Sequence, residues 1–161
     1  MGFEQVTLAD TKLEKPAPVP PSKYVFQLQP GANYRINQYN GIQELNVRFD
    51  VINRADGDTE FQGRPVFVTY PDPTAVTKGK DGQPGKSLKW SAQALKKLEI
   101  SLGVDALPGE DTAAYLNRVA LSGSGRITAD VLPGKEFTDS KTGAKKTGDP
   151  DFGIFTVAPA A

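Results

Sequence analysis

The feature that most constrains this chain is a strict alternation near its middle. Leu45, Val47, Phe49 and Val51 are apolar, while Asn46, Arg48 and Asp50 between them are polar. Successive side chains of a strand point to opposite faces, so a period of two marks a strand with one buried and one wet face. A second alternation, Ile127, Ala129 and Val131 against Arg126, Thr128 and Asp130, marks another. A half-buried strand is not stable alone and needs partners to cover its apolar face. The rest of the sequence must therefore supply a sheet.

It does so in short pieces. Tyr24 to Asn40 holds the turn signal Pro30-Gly31 and then a strand-like stretch with Tyr34, Ile36 and Tyr39, and Asn40-Gly41 is a hairpin signal leading into the Leu45–Val51 strand. A polar turn at 54–58 precedes a third strand, Arg64 to Tyr70, which Pro71-Asp72-Pro73 ends. Thr74 to Ser87 is polar and reads as a loop. The spacing then becomes helical. Ala94, Leu95, Leu98 and Leu102 share one face of a helix over Ser91–Leu102, with Gly103 as its stop. A shorter helix is expected over Asp111–Val119, capped by Asp111 or Thr112. Gly123-Ser124-Gly125 breaks the chain before the fourth strand, a Lys/Gly-rich loop follows, and Gly153–Val157 is the expected fifth strand.

The order is three strands, helix, strand, strand. It predicts a mainly β fold, a five-stranded OB-like barrel with one main helix between strands 3 and 4 and a second short helix. Another small antiparallel barrel or sandwich is the alternative. The barrel domain is expected over residues 23–161. Residues 1–22 read as a flexible arm, because Lys15-Pro16-Ala17-Pro18-Val19-Pro20-Pro21 favours extended polyproline geometry and suits a stiff spacer.

Composition narrows the chemistry. The 161 residues contain no Cys and no His. Disulfides, Cys/His zinc sites, Ser-His-Asp triads and Cys-His dyads are all excluded. No window approaches the ~20 apolar residues of a membrane span, and the start lacks a secretory signal, so a cytoplasmic protein is expected. Nineteen basic residues balance nineteen acidic ones, so attraction to a polyanion would have to come from local segregation of charge.

Two motif fragments fail on spacing. Gly85-Lys86-Ser87 resembles the end of a phosphate-binding loop, but no Gly lies at the required distance before it, and a helix start after a loop is the simpler reading. Asp56, Asp58 and Glu60 are spaced like the start of a calcium loop whose remaining ligands are missing, leaving a solvated turn. No carboxylate pair suggests acid–base work, so no catalytic residue, metal or cofactor is expected and the chain is read as a non-enzyme.

The basic and aromatic residues say more. In an OB-fold the binding face is built on strands two and three and the loops joining strands one–two and four–five. Arg48 and Arg64 fall on or beside those strands, Tyr39 at the first loop, and Lys141, Lys145 and Lys146 in the second. Tyr39, Phe67, Tyr70 and Phe137 could stack on bases. These nine residues form the candidate nucleic-acid-binding set. Trp90, at the start of the main helix, reads as a packing anchor.

Pro30-Gly31 leading to Tyr34, the strand Leu45–Val51, Gly63-Arg64-Pro65-Val66-Phe67, the helix closed by Gly103-Val104, and Gly125-Arg126-Ile127 together resemble a widespread family of bacteriophage early proteins related in outline to OB-fold single-stranded DNA-binding proteins. The resemblance spans most of residues 30–132. It implies an accessory role in phage replication or recombination, in the host cytoplasm. Single-stranded DNA would be the ligand, a phage or host replication or recombination protein a partner, and homo-oligomers an option. The competing expectation is a non-catalytic interaction or virion structural module that binds a protein.

Overall fold

A computed structural model describes residues 18–160 of the chain. Most of the Pro-rich arm lies outside them. The strands are β1 (Ser22–Leu28), β2 (Asn33–Ile36), β3 (Gln43–Arg54), β4 (Pro65–Pro71), β5 (Val76–Lys78) and β6 (Pro84–Ser87), then β7 (Arg126–Leu132), β8 (Glu136–Thr138), β9 (Lys145–Thr147), β10 (Asp151–Phe152) and β11 (Ala158–Pro159). Helices α1 (Trp90–Leu102) and α2 (Thr112–Leu121) lie between β6 and β7 in the chain. The fold is mainly β, as expected.

All pairings are antiparallel, and the main sheet runs β4-β3-β1-β7, with β10 and β11 on the far side of β7. β3 is its spine. β4 pairs along one edge of it, and β1 and β2 share the other edge. The segment Tyr24–Asn40, expected to carry one strand-like stretch after Pro30-Gly31, thus holds two strands on a common partner, β1 before that break and β2 after it. Pro30 has no N–H to give to a ladder, and Gly31 adopts φ 106°, open to Gly and strained for other residues. The break is bridged from α2. The Asn117 side-chain oxygen accepts the amides of Gly31 (2.8 Å) and Ala32 (2.9 Å), and its nitrogen donates to the Ala32 carbonyl (3.1 Å).

Alternation buries Leu45, Val47, Phe49 and Val51 of β3 against Tyr24, Phe26 and Leu28 of β1 and Ile127, Ala129 and Val131 of β7. Helix α1 covers this core with Ala94, Leu98 and Leu102 and ends in left-handed Gly103 at φ 73°. α2 adds Tyr115, Leu116 and Val119 and is capped by the Asp111 carboxylate, which accepts the Ala114 amide. Val19 is also buried, and the Tyr24 hydroxyl donates to the Pro20 carbonyl at 2.6 Å. The last residues of the Pro-rich run therefore pack with the domain that was expected to begin at residue 23.

Three sequence expectations change. The 74–87 loop is a hairpin, β5–β6, which among the described residues pairs with no other strand. The fifth strand is not at Gly153–Val157. That stretch is a turn held against β7, where the Thr156 hydroxyl accepts the Asp130 amide (2.8 Å) and donates to the Gly153 carbonyl (2.7 Å). Two-residue bridges, β10 and β11, flank it.

The third change concerns closure: the sheet does not close into a barrel, because among the described residues β4 pairs only with β3. The bonds from Asp72 N to Gln43 O and from Val51 N to Arg64 O set the phase of the β3–β4 ladder. The backbone groups of Pro65, Phe67, Thr69 and Pro71 consequently face the open edge. Two of these four are prolines and cannot donate, and β10 offers only two residues, so no ladder can run along the seam. Side chains cover the core there instead: the Phe152 ring stacks on Phe49 at 5.2 Å and meets Phe26 at 5.2 Å.

Candidate functional site

The candidate residues converge best on the outer face of β3 and β4. Phe67 is 70% exposed, although its neighbours Val66, Val68 and Tyr70 point inward. It lies directly across the ladder from Arg48 in a pair without mutual backbone bonds, the type that brings side chains closest. Asn46 and Thr69 form the next pair, with the Thr69 hydroxyl donating to Asn46 Oδ1 at 3.2 Å. The Arg48 guanidinium binds Asp50 through Nε (2.8 Å) and Nη2 (3.2 Å). That carboxylate fixes the Arg48 fork and raises its pKa further. The result is an exposed ring flanked by a fixed cation and amide and hydroxyl groups.

The seam beside Phe67 is hollow. A cavity of about 280 Å³ lies between Pro65–Phe67, Val19 and Asp151–Phe152, and one of about 350 Å³ between Phe67–Thr69, Trp90 and Asp151–Phe152. Further along, a cavity of about 360 Å³ is bounded by Leu132, Phe137 and Phe152. Phe67 and Phe137 thus border hollows that share Phe152. Phe137 is 51% exposed on β8, and the hairpin it begins carries Lys141 at its turn and Lys145 and Lys146 on β9. Lys146 is bound to Asp139 at 2.8 Å, which depresses the Asp139 pKa. Lys141 and Lys145 make no ion pair among the described residues.

Other candidates stand apart. Tyr39 is fully exposed at the β2–β3 turn, where Asn37 Oδ1 accepts its amide at 2.8 Å, beyond the Gln43 end of β3. Arg48 lies five residues along, roughly 17 Å away at a strand's rise. Arg64 is half-buried just before β4, and its carbonyl accepts the Val51 amide. Tyr70 is in the core at 1% exposure, with a hydroxyl whose pKa burial raises, and its ring cannot meet a base. Residues 67 and 70 differ by an odd number, so they face opposite sides of the strand.

Sequence reasoning gave Trp90 a packing role, and in the structure it is 39% exposed, lining the seam with its ring 6.1 Å from Phe155. Only its place at a helix start beside a Lys-rich loop could have flagged it. The rejected motifs have structural accounts. Gly85 of Gly85-Lys86-Ser87 lies on β6, where a Cβ would stand 2.3 Å from Thr77 Oγ1, and that hydroxyl also accepts the Lys86 amide at 2.8 Å. Asp56 and Asp58 accept the amides of Asp58 and Glu60, so they shape a turn. No cluster of three metal-ligating side chains occurs among the described residues, and no helix there is long and apolar enough to cross a membrane. Compared with known proteins, the chain matches no family model and no curated protein sequence, so the family resemblance rests on its sequence motifs alone.

Proposed function

We propose that this chain is an OB-like domain that binds single-stranded DNA without sequence preference, as an accessory protein of phage replication or recombination, with no cofactor and no bond-making step. The observation that carries this reading is Phe67, an aromatic ring 70% exposed in the middle of an ordered strand, directly opposite Arg48. A large apolar ring so exposed adds little to the packing of the domain, and any base can stack on it. Arg48, Asn46 and Thr69 supply polar groups beside the ring, while Phe137, Lys141 and Lys145 extend the surface along the hairpin. The order β4-β3-β1-β7, with both helices between β4 and β7 in the chain, supports the OB-like assignment.

Zero net charge shapes the expected behaviour. Affinity should be modest, with a salt dependence set by the few lysines that meet phosphates. Fluorescence anisotropy with labelled oligo-dT at low salt, beside a duplex of equal length, tests the reading. Binding of the single strand in preference to the duplex is expected. No binding of oligo-dT at protein concentrations on the order of tens of micromolar would overturn it.

A further inference from the structure

On the helical side of the domain two contiguous cavities of about 350 and 360 Å³ share Pro73, Leu95 and Thr112. The second is largely apolar, set between α1 and α2, with Leu98, Tyr115 and Leu116 in its walls. The first is rimmed by Glu44, Asp72 and Asp111, none of which makes an ion pair among the described residues. Asp72 is held below the usual carboxylate range by the hydroxyl and amide of Thr74, so it is ionised at neutral pH. Tyr70 lines this same cavity, and its buried hydroxyl has no hydrogen-bond partner. Asp111 accepts the Tyr34 hydroxyl at 2.7 Å and the Ala114 amide, both neutral donors, so its charge, like that of Asp72, meets no cation among the described residues. An apolar groove, a rim of carboxylates without ion-pair partners and a phenol oxygen able to accept together fit a cationic donor carried on a protein segment.

The same chain carries such a segment. The β5–β6 hairpin projects without pairing to the main sheet, and neither cavity is lined by its strands. Lys78, Lys80 and Lys86 on it, and Lys89 just after it, are exposed and make no ion pair among the described residues, with Asp81 the acid at its turn. We propose that two copies of this chain associate by exchanging these hairpins, each inserting its lysines into the other's acidic groove. The hairpin springs from Pro73, which borders both cavities, so arm and groove are neighbours on one surface. A two-fold axis beside them satisfies both copies at once and closes the assembly as a dimer. This inference does not rest on DNA binding.

Sedimentation velocity of the full chain without DNA tests it, at about 50 mM and about 500 mM salt and protein concentrations on the order of 100 µM. A dimer at low salt that dissociates at high salt is expected. Two charge-reversed proteins sharpen the test: Lys78→Glu/Lys80→Glu/Lys86→Glu in the arm, and Glu44→Lys/Asp72→Lys in the groove. Asp111 is left in place because it caps α2. Each reversed protein alone should weaken association by at least about tenfold, and mixing the two should restore a heterodimer. Should the groove variant fail to fold, as seen by circular dichroism, the arm variant still decides, since its lysines are exposed. A monomer at low salt, or an arm variant that dimerises as well as wild type, would overturn the proposal; a monomer would leave the groove to a basic segment of another protein.

Discussion

The two flanks of this domain are built from the same strands and differ in the groups they present. On the outer face of β3 and β4 the uncovered groups are aromatic: Phe67, and beyond the seam Phe137 and Trp90. At the helical groove they are anionic, Glu44, Asp72 and Asp111, around apolar walls. Phe67 and Tyr70, three residues apart on one strand, belong to opposite flanks. A net charge of zero thus conceals a segregation of surface character, and on the proposed reading the uncharged ring suits a nucleobase, while the carboxylate rim repels a phosphate backbone and attracts a lysine.

The largest effect should come from the rings beneath the seam. Phe152→Ala removes the partner of Phe49 and Phe26 and leaves a cavity where no backbone ladder holds β4 to β10. A loss of about 3–5 kcal/mol is expected in denaturant unfolding. Phe67→Ala, one layer outward, should change stability by no more than about 0.5 kcal/mol. Similar losses for the two would mean that Phe67 is a packing residue, and the comparison would fail.

Next in size is Asn117→Ala. It strips two amides and a carbonyl at the β1–β2 break of their partner and should cost about 1–3 kcal/mol of stability. Hydrogen exchange at Gly31 and Ala32 checks the cause, since both amides should lose protection while the centre of β3 keeps it.

Binding effects follow. Phe67→Ala should weaken oligo-dT binding by about 1–3 kcal/mol, while Lys141→Ala/Lys145→Ala/Lys146→Ala should lower affinity and reduce the salt slope by at most about 2–3. Lys146 is tied to Asp139 and should contribute least of the three.

The smallest effect belongs to an ion pair at the groove. Arg118 grips Glu110 with Nε (2.9 Å) and Nη2 (2.8 Å), holding its pKa down to about 2 from 4.5. A carboxylate with a depressed folded pKa stabilises above its unfolded pKa and loses that contribution as pH falls through the folded value. Glu110→Gln should therefore lower the melting temperature slightly at neutral pH, and the gap to wild type should shrink between about pH 4.5 and about pH 2. A gap that stays constant through that window would show that the pairing is not its source.

Much of the fold was legible because alternation and helical spacing report burial directly. Leu45–Val51 and Ile127–Val131 are buried as their period requires, and the helices lie where Ala94, Leu98 and the Asp111 cap place them. Three features were not legible, since each depends on contacts distant in sequence. The Pro30-Gly31 break is stabilised by Asn117, 85 and 86 residues away. Thr156 turns the expected fifth strand into a bend by bonding Asp130. The open seam comes from the phase of the β3–β4 ladder, which aims both prolines outward. Within the site, Phe67 and Arg48 were readable as the wet face of their strands. Tyr70 was misplaced for want of the same parity rule applied three residues on, and no local pattern told that Glu44, Asp72 and Asp111 meet at one groove.

The most direct test of the division between flanks is an NMR titration of isotope-labelled protein with oligo-dT at low salt. Shift changes should concentrate at Asn46–Asp50, Phe67–Thr69 and the β8–β9 hairpin, and leave Leu95, Thr112 and Leu116 of the helical groove unmoved. Changes centred on the groove, or none on β3 and β4 at saturating oligonucleotide, would contradict the assignment of the aromatic face to nucleic acid.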